Sequence, residues 1–403
     1  MDDSALLMPR SSLIARLPLI RTMSSSAVRV KSVRAIKAAE APPAILGESP
    51  FWDYKSSLLF YIDILGKRII AYNPKERSSS SMQLTQQIGF CVPSMDSTFA
   101  DISLVVGLET YVAEVNFSQK KVVKTISKVP EELVKTGTRF NDGNCSPTGI
   151  LYGGHMHSQW REGAPYRGAL LKLLPRHVHN DKALNVLKME LSSDDVWLPN
   201  GSVWCVEDNC ETCYLVDSGS HTIKKYQIRS LKFTYVETVY SLPADLIADG
   251  YIMDGATIDN CNRIYVVCPN GSSQADKLGL ILVIDTSKTG NGASSSKGEE
   301  GKAASAATGL EVGRISMPCK KPIACCFGGP ELESLFVTSR NEGSGTAPEG
   351  LLYELLLDGD VKGSAKYSNI PCKVTSSTVF AENSCYKTFS SCSFEEIKKK
   401  FFG

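Results

Sequence analysis

The chain has 403 residues, of which 42% are hydrophobic and 22% are charged, with 44 basic and 43 acidic side chains. This balance is typical of a globular protein with a substantial core, in one large domain or two ordinary ones. It argues against a nucleic-acid binder, because such domains usually carry an excess of basic residues. A helical membrane span is not expected either, because Asp63, Lys67 and Arg68 interrupt even the most apolar early stretch.

Cysteine is frequent, but the number of cysteines is odd. Thirteen thiols, two of them adjacent at Cys325 and Cys326, do not form the even framework of a small secreted domain. We therefore expect a reducing compartment. Cys210 and Cys213 have the spacing of a redox dithiol or of half a zinc site. With no second such pair, thiols in a strand and its turn are the simpler interpretation.

The two ends of the chain are expected to lie outside the folded domain. Residues 1–40 are basic, rich in serine and poor in acids, which resembles an organelle transit peptide, although Asp2 and Asp3 argue against one. A product that starts at Met23 would have a plain flexible N-terminus. We expect residues 1–40 to be a flexible extension, 41–385 to fold, and 386–403 to be a basic tail. The cytoplasm is the expected location, or a mitochondrion or plastid if residues 1–40 are a transit peptide.

Short apolar runs bounded by Gly, Asn, Asp, Ser and Pro predict strand after strand between these ends. The predicted strands are Leu58–Asp63, Ile69–Tyr72, Lys121–Ile126, Thr212–Asp217, Ile223–Ile228, Arg263–Cys268, Leu280–Asp285, Leu335–Thr338 and Leu351–Leu357. Long amphipathic helices are nearly absent, which indicates an all-β sandwich, barrel or propeller. Residues 288–309 lack large apolar side chains, so a disordered loop insertion is expected there.

An internal repeat favours the propeller. Two segments share one pattern at the same spacing, Leu59–Asp63 with Ile69 and Tyr72, and Cys213–Asp217 with Ile223 and Tyr226. Each is a strand, a turn that begins at an aspartate, and a second strand that carries an aromatic residue. Such hairpins suggest blades, and about 330 residues divided by ~40–50 residues per blade gives six or seven blades.

Four polar motifs flanked by turn-forming residues are candidates for a functional site. They are Gly47-Glu48-Ser49-Pro50, Arg139-Phe140-Asn141-Asp142-Gly143, Leu198-Pro199-Asn200-Gly201 and Met253-Asp254-Gly255-Ala256-Thr257-Ile258-Asp259. Their Glu, Asn and Asp side chains offer the hard oxygen ligands that calcium and magnesium prefer. Ordinary turn chemistry is the alternative, because Asn-Gly and Asp-Gly favour positive φ angles whatever the function.

In this order the motifs resemble those of the regucalcin family, also called the senescence marker protein or gluconolactonase family. The resemblance runs from Ile45 to about Gly363 and includes Gly153-Gly154-His155-Met156 and Cys325-Cys326-Phe327-Gly328-Gly329. It implies an all-β fold, a six-bladed β-propeller with a divalent metal ion in its central channel.

The resemblance also implies the metal ligands, which fall on Glu48, Asn200 and Asp254. The ion would be calcium, zinc, magnesium or manganese. Asp249, followed by Gly250, is a rival for Asp254, but Asp254 keeps the family's spacing into the strand Arg263–Cys268.

Substrate contacts are implied for Arg139 and Asn141. Glu162 is the nearest counterpart of a further substrate-contacting glutamate, displaced by two positions. Where the family has Gly-Thr-Met, this chain has Gly154-His155-Met156, with a histidine in place of the threonine. Two His-x-His pairs, His155 with His157 and His177 with His179, have a spacing that suits zinc, but without a nearby acidic or thiol partner structural zinc is not expected.

The activity that the resemblance implies is ring-opening hydrolysis of a sugar (aldono-) lactone, a carboxylic ester hydrolysis. Asp254 is a metal ligand and the candidate general base, and activation of the water by the metal is the competing hypothesis. The expected partner is the small lactone, without nucleic acid or a membrane span, and the protein is expected to be a monomer. An ester or organophosphate hydrolase, a luciferin-regenerating enzyme, and a calcium-binding regulatory protein with little turnover are alternatives on the same scaffold.

Overall fold

Strands dominate the computed structural model, which describes residues 28–160, 167–174, 188–193, 196–205, 208, 211–229, 232–274, 276–287, 309–343, 349–358 and 361–364. The first strand is β1 (Val30–Ala35). Two short helices also occur in this part of the chain, a 3₁₀ helix at Glu131–Leu133 and α1 at Ala244–Ala248. No helix among the described residues is long and apolar enough to cross a membrane.

The strands form six four-stranded antiparallel sheets, the blades of a propeller. Blade 1 contains β2 (Gly47–Asp53), β3 (Leu58–Asp63), β4 (Arg68–Asn73) and β5 (Ser78–Gln83), and blade 2 contains β6 (Ile88–Pro93), β7 (Ser103–Leu108), β8 (Tyr111–Asn116) and β9 (Lys121–Lys128). Blade 3 contains β10 (Thr138–Cys145), β11 (Leu151–His157), β12 (Ala169–Leu174) and β13 (Lys188–Ser193), and blade 4 contains β14 (Pro199–Trp204), β15 (Thr212–Asp217), β16 (Thr222–Arg229) and β17 (Lys232–Ser241). Blade 5 contains β18 (Ala256–Ile258), β19 (Arg263–Cys268), β20 (Leu280–Asp285) and β21 (Leu310–Ser316), and blade 6 contains β22 (Pro322–Gly328), β23 (Ser334–Ser339), β24 (Tyr353–Leu357) and the N-terminal β1.

The innermost strands of the blades close a ring around the central channel. Strand β2 contacts β6 and β22, and each of β6, β10, β14 and β18 contacts the innermost strand of the next blade. The six-bladed propeller that the sequence predicts is therefore confirmed. Each innermost strand has one edge free toward the channel, and Pro50, Pro93, Pro199 and Pro322 lie in such strands, because proline is tolerated at an edge.

Blade 6 corrects the predicted N-terminal boundary. Residues 30–35 lie within the predicted flexible extension, yet they form β1, which pairs with β24 from Val30↔Leu357 to Ala35↔Tyr353. Arg34 links this strand to β24 by two hydrogen bonds to Oε2 of Glu354, from Nε at 3.0 Å and from Nη2 at 2.8 Å. A partner some 320 residues away in the sequence supplies the edge on which β1 forms. Residues 1–27 and 365–403, with the predicted basic tail, lie outside the described residues.

Apolar side chains pack between neighbouring blades. One cluster joins blades 1, 5 and 6, a second joins blades 2, 3 and 4, and two further clusters join blades 4 and 5 and blades 1 and 2. Each blade is covered on both faces by its neighbours, so the sequences of the middle strands are continuous apolar runs. All nine predicted strands are present, with ends that differ by no more than two residues. The predicted loop insertion at 288–309 lies, except for Gly309, outside the described residues.

Candidate active site

The predicted site residues come from four different blades. Glu48 lies on β2, Arg139 and Asn141 lie on β10, Asn200 lies on β14, and Asp254 directly precedes β18. Three of the four polar motifs are thus parts of innermost strands, and the fourth runs into one. The ring of innermost strands brings these motifs around the central channel.

The repeated aspartates explain how the innermost strands are positioned. Asp63 at the end of β3 accepts hydrogen bonds from the backbone N–H groups of Ile45 and Leu46, just before β2. Asp217 at the end of β15 accepts hydrogen bonds from the N–H groups of Trp197 and Leu198, just before β14. Both carboxylates are fully buried. The internal repeat therefore holds in place the two segments that lead to Glu48 and to Asn200.

Glycines after two of the predicted ligands permit close approach between blades. A Cβ atom on Gly201 would lie 2.3 Å from the backbone nitrogen of Ala256, and one on Gly255 would lie 2.4 Å from Cβ of Ala324. Neither has a positive φ, so the turn-chemistry alternative does not apply to them. Gly250, after the rival Asp249, does have a positive φ of 86°. Asp249 thus belongs to a turn, and Asp254 belongs to the ring.

A chain of hydrogen bonds connects three elements of the site. Asn141 donates from Nδ2 to Oδ1 of Asn200 at 2.7 Å and to the carbonyl oxygen of Pro199 at 3.1 Å. Asn200 donates from Nδ2 to Oγ of Ser218 at 2.6 Å, and that hydroxyl donates to the carbonyl oxygen of Met253 at 2.5 Å. Both lone pairs of an amide oxygen can act, so Oδ1 of Asn200 keeps one for a metal ion.

Glu48 is the most unusual side chain of the site. Its residue is only 2% exposed, and neither carboxylate oxygen has a hydrogen-bond partner. Burial raises the pKa of Glu48 well above its ordinary value, and the neighbouring charges of Asp254 and Asp142 raise it further, while the charge of Arg139 opposes this change. A buried carboxylate without partners is costly in free energy. It is the kind of orphaned polar group that a bound cation would satisfy.

Asp142 is a third carboxylate that the sequence did not single out for a role. Burial raises the pKa of Asp142 to about 6, against the hydrogen bond from Gly143 N–H. Burial also raises the pKa of Asp254 well above its ordinary value, with Asp142 as the largest charged contributor and Arg139 opposing it. The sequence offered one signal for a role of Asp142, its position directly after Asn141 in the Asn-Asp-Gly motif. Only the fold brings Asp142 near Glu48 and Asp254.

Arg139 is the cation of the site. Its Nη1 donates to the carbonyl oxygen of Phe140 at 2.7 Å and to Oδ1 of Asn141 at 3.1 Å. Burial lowers the pKa of Arg139, and the charges of Glu48 and Asp254 oppose that change. Three carboxylates and one guanidinium would leave a formal charge of about −2 when all are ionised, which one divalent cation would balance.

The residues present fit a metal held mainly by oxygen. No group of three or more His, Cys, Asp or Glu side chains within the described ranges is arranged to hold a metal ion. Two carboxylates and an amide oxygen, with water completing the coordination, would be a donor set that suits hard cations such as calcium.

Neither His155 nor His157 belongs to a group of side chains arranged to hold a metal ion in the described part of the chain. His157 donates from Nε2 to the carbonyl oxygen of Thr136 at 2.9 Å in the tautomer that lets Nδ1 accept from the N–H of Gln159. His155 is buried against Phe140, with ring centroids 6.0 Å apart, and its Nε2 has no hydrogen-bond partner. Burial lowers the pKa of His155 to about 4, and the charge of Arg139 contributes. Glu162, His177 and His179 lie outside the described residues, as does Cys210, whereas Cys213 is a buried thiol of β15.

Fold and site together define a propeller protein with a carboxylate-lined central channel. A family model described as the SMP-30/Gluconolactonase/LRE-like region matches residues 46–278, more than half of the chain. The chain belongs to this family, as its motifs predict.

Individual relatives are more distant. Regucalcin of Xenopus laevis is 27% identical over 302 residues, which cover 74% of this chain and 84% of that protein. Among solved structures, a luciferin-regenerating enzyme is similar with a TM-score of 0.64 at 22% identity, over 84% of this chain and 99% of the other. A calcium-binding regucalcin from Agrobacterium tumefaciens has a TM-score of 0.60 at 18% identity, over 83% and 95%. At these identities the structural likeness shows the fold alone.

Proposed function

We propose that the protein is a divalent-metal-dependent hydrolase of sugar lactones. The observation that carries this proposal is the buried carboxylate of Glu48, which has no hydrogen-bond partner and faces the charges of Asp254 and Asp142. Such an arrangement is costly in the metal-free protein and becomes favourable when a cation binds. Membership of a family that is named in part for gluconolactonase supports the substrate class.

Glu48, Asn200 and Asp254 would hold the ion. Their oxygen donors favour calcium, magnesium or manganese over zinc, which usually takes nitrogen or sulfur ligands. When bound, the ion would act as a Lewis acid that polarises the lactone carbonyl.

The side chains around the ion would position the substrate and move a proton. The guanidinium of Arg139 would donate hydrogen bonds to ring or hydroxyl oxygens of the lactone through the N–H groups that Phe140 and Asn141 do not use. Asp254 would accept the proton of the attacking water at a carboxylate oxygen. Attack on the carbonyl creates negative charge, and the fixed positive charge of Arg139 in this buried site would stabilise the transition state.

Assays of a substrate panel test the proposal. The purified protein, freed of metal with a chelator, is supplied with calcium, magnesium, manganese or zinc and offered aldonolactones, aryl esters and phosphotriesters. We expect turnover of aldonolactones that returns with a divalent ion and is lost in Glu48→Gln. Calcium binding without turnover of any of the three classes would contradict the enzyme proposal and favour the regulatory alternative. Turnover of aryl esters or phosphotriesters but not of lactones would contradict the substrate class.

We also propose that the protein acts as a cytoplasmic monomer. Cys91, Cys268, Cys325 and Cys326 are free, buried thiols, which supports a reducing compartment. Light scattering of the purified protein and fractionation of cells test the two parts separately.

A further inference from the structure

The part of β2 that carries Glu48 contains a β-bulge. Glu48 pairs with Ile62 of β3 and Phe51 pairs with Phe60, so this part of β2 has one residue more than the part of β3 that faces it. A bulge of this kind bends the strand and changes the direction of the side chains beside it. The direction of the Glu48 carboxylate therefore depends on the conformation of the bulge.

Four other innermost strands contain a register shift with the same single extra residue. The shifts lie between Ile88 and Phe90 in β6, Phe140 and Gly143 in β10, Pro199 and Ser202 in β14, and Pro322 and Cys325 in β22. Asn141 and Asn200 lie within two of these bulges, and Glu48 lies at the start of the bulge in β2. Bulges thus recur where side chains of the site leave the innermost strands.

Ser49 has an unusual backbone conformation within its bulge. Its φ is 50°, in the left-handed region that residues other than glycine rarely adopt. The other eight described non-glycine residues with a positive φ lie in turns or loops between strands, whereas Ser49 lies inside β2. Pro50 adds to the cost, because a residue before proline prefers an extended backbone with φ of about −120°. Such a conformation persists only where the surrounding structure holds it.

The hydroxyl group of Ser49 holds this conformation. Its Oγ accepts a hydrogen bond from the N–H of Cys91 at 3.1 Å and donates one to the carbonyl oxygen of Cys91 at 3.3 Å. Both residues are buried. Cys91 lies on β6, and the hydroxyl binds the edge of β6 that has no neighbouring strand. We call this pair of hydrogen bonds the Ser49 clamp, and it connects the bulge of blade 1 to blade 2.

We propose that Ser49 is a positioning residue, whose clamp holds the β2 bulge so that the Glu48 carboxylate stays buried in the channel without a hydrogen-bond partner. A carboxylate in this state gains free energy by turning toward water, and the clamp prevents that movement by fixing the next residue of the chain. The consequence for metal binding rests on the proposed function, whereas the positioning of Glu48 does not.

A double-mutant cycle in the metal-free protein tests the positioning. Urea unfolding with a chelator present is measured for the unsubstituted protein, Glu48→Gln, Ser49→Gly and the double variant. Ser49→Gly removes the clamp but tolerates the positive φ. Glu48→Gln should raise the urea midpoint in the unsubstituted protein and raise it less than about half as much in Ser49→Gly, where the carboxylate is free to turn toward water. Equal changes in the two backgrounds would overturn the inference.

Ser57 provides a matched control for the backbone. It is an exposed serine in the turn after β2, its φ is 55°, and it has no part in the clamp. Ser57→Gly relieves the same kind of backbone strain, so Glu48→Gln should raise the urea midpoint as much in this background as in the unsubstituted protein. If Ser57→Gly reduces that increase as strongly as Ser49→Gly does, the clamp is not the cause and the inference is wrong.

Calcium titration tests the consequence for the metal ion. Ser49→Gly and Ser49→Ala both lack the hydroxyl group, and each should bind calcium about 10- to 100-fold more weakly, the usual effect of losing a group that orients a ligand. Ser57→Gly should stay within about twofold of the unsubstituted protein. A clamp that serves only the stability of the fold would lower the urea midpoint and leave calcium affinity unchanged, which would contradict the inference.

The two experiments also separate this inference from the proposed function. If the unsubstituted protein binds no calcium, the proposed metal site is wrong. The double-mutant cycle needs no metal ion, so it still decides whether Ser49 positions Glu48.

Discussion

Asn141 donates a hydrogen bond of 2.7 Å from Nδ2 to Oδ1 of Asn200, the amide oxygen proposed to bind the metal ion. The two side chains lie on neighbouring blades, 59 positions apart in the sequence. This bond fixes the direction of the Asn200 amide, since the other end of that amide is tied to Ser218. Asn141 is therefore connected to the metal site as well as to the proposed substrate contacts.

Replacement of Asn141 tests this connection. Asn141→Ala should lower calcium affinity by about 10- to 100-fold, the usual effect of losing a group that orients a metal ligand. Asn144→Ala is the matched control, because the Asn144 amide donates to the carbonyl oxygen of Ser202 and to no proposed ligand. Isothermal titration with calcium measures both. Equal affinities in the two variants would show that Asn141 does not orient the site.

Two other variants should distinguish residues that bind the metal ion from residues that serve only turnover. Glu48→Gln should weaken calcium binding by about 100-fold or more, because one of two anionic ligands is lost. It should also stabilise the metal-free protein by about 1–3 kcal/mol, since burial and the neighbouring charges of Asp254 and Asp142 disfavour the ionised Glu48 carboxylate. Calcium titration and urea unfolding with a chelator present measure these effects.

Arg139→Ala should instead lower turnover by about 100-fold, the size of effect seen when one group that stabilises developing charge is removed. Calcium affinity should stay within a few-fold or increase, because a cation that opposes the ion is gone. If Arg139→Ala abolishes calcium binding in a folded protein, the proposed division between metal and substrate residues is wrong.

The buried imidazole of His155 should make stability depend on pH. Its pKa of about 4 in the folded protein lies below the value of about 6.5 for an unfolded chain. The unfolded state therefore binds the proton more tightly. The contribution of the neutral imidazole is fully present above pH 6.5 and is lost as the pH falls through 4.

Between pH 7 and pH 4.5 the unsubstituted protein should lose about 2 kcal/mol more unfolding free energy than His155→Thr does. Urea unfolding at the two pH values measures the difference, and the carboxylates contribute equally to both proteins. Equal losses would mean that His155 is not buried in neutral form.

Arg34 should stabilise the closure of the propeller. Besides Glu354, it donates from Nη1 to Glu40 at 3.1 Å and from Nη2 to the hydroxyl of Tyr72 in blade 1 at 3.2 Å. Arg34→Ala should cost about 2 kcal/mol, less than a fully buried ion pair because the arginine is 34% exposed. Lys31→Ala, at an exposed position of the same strand, should cost less than about 0.5 kcal/mol. Similar losses in urea unfolding would contradict this role.

The position of β1 also limits how the N-terminus can be processed. Cleavage after residue 35 would remove the outermost strand of blade 6 and expose the edge of β24. We expect the natural N-terminus to precede Val30, whether it begins at Met1, at Met23 or after removal of a leader. Mass spectrometry of the protein from its native source would contradict this if it found a folded form starting at residue 41.

The sequence predicted the middle strands of the blades well, because their information is local. An apolar run that ends in a turn is covered on both faces in a propeller, so Thr212–Asp217 and Arg263–Cys268 were predicted with their observed ends. The innermost strands were harder to predict. Their glycines, prolines and amides, as in Gly47–Asp53, are typical of turns, and they form strands because one edge faces the channel.

By itself the sequence determined the all-β class, the hairpin repeat built on Asp63 and Asp217, and, through the family motifs, the candidate residues Glu48, Asn200 and Asp254. Only the tertiary structure placed Asp142 near Glu48 and Asp254. Only the tertiary structure, too, placed β1 in blade 6. Spacing along the chain carries information about neighbours within one blade. The two ends of a ring meet only after every blade has packed, so contacts such as Arg34 with Glu354, 320 positions apart, are decided by closure of the propeller.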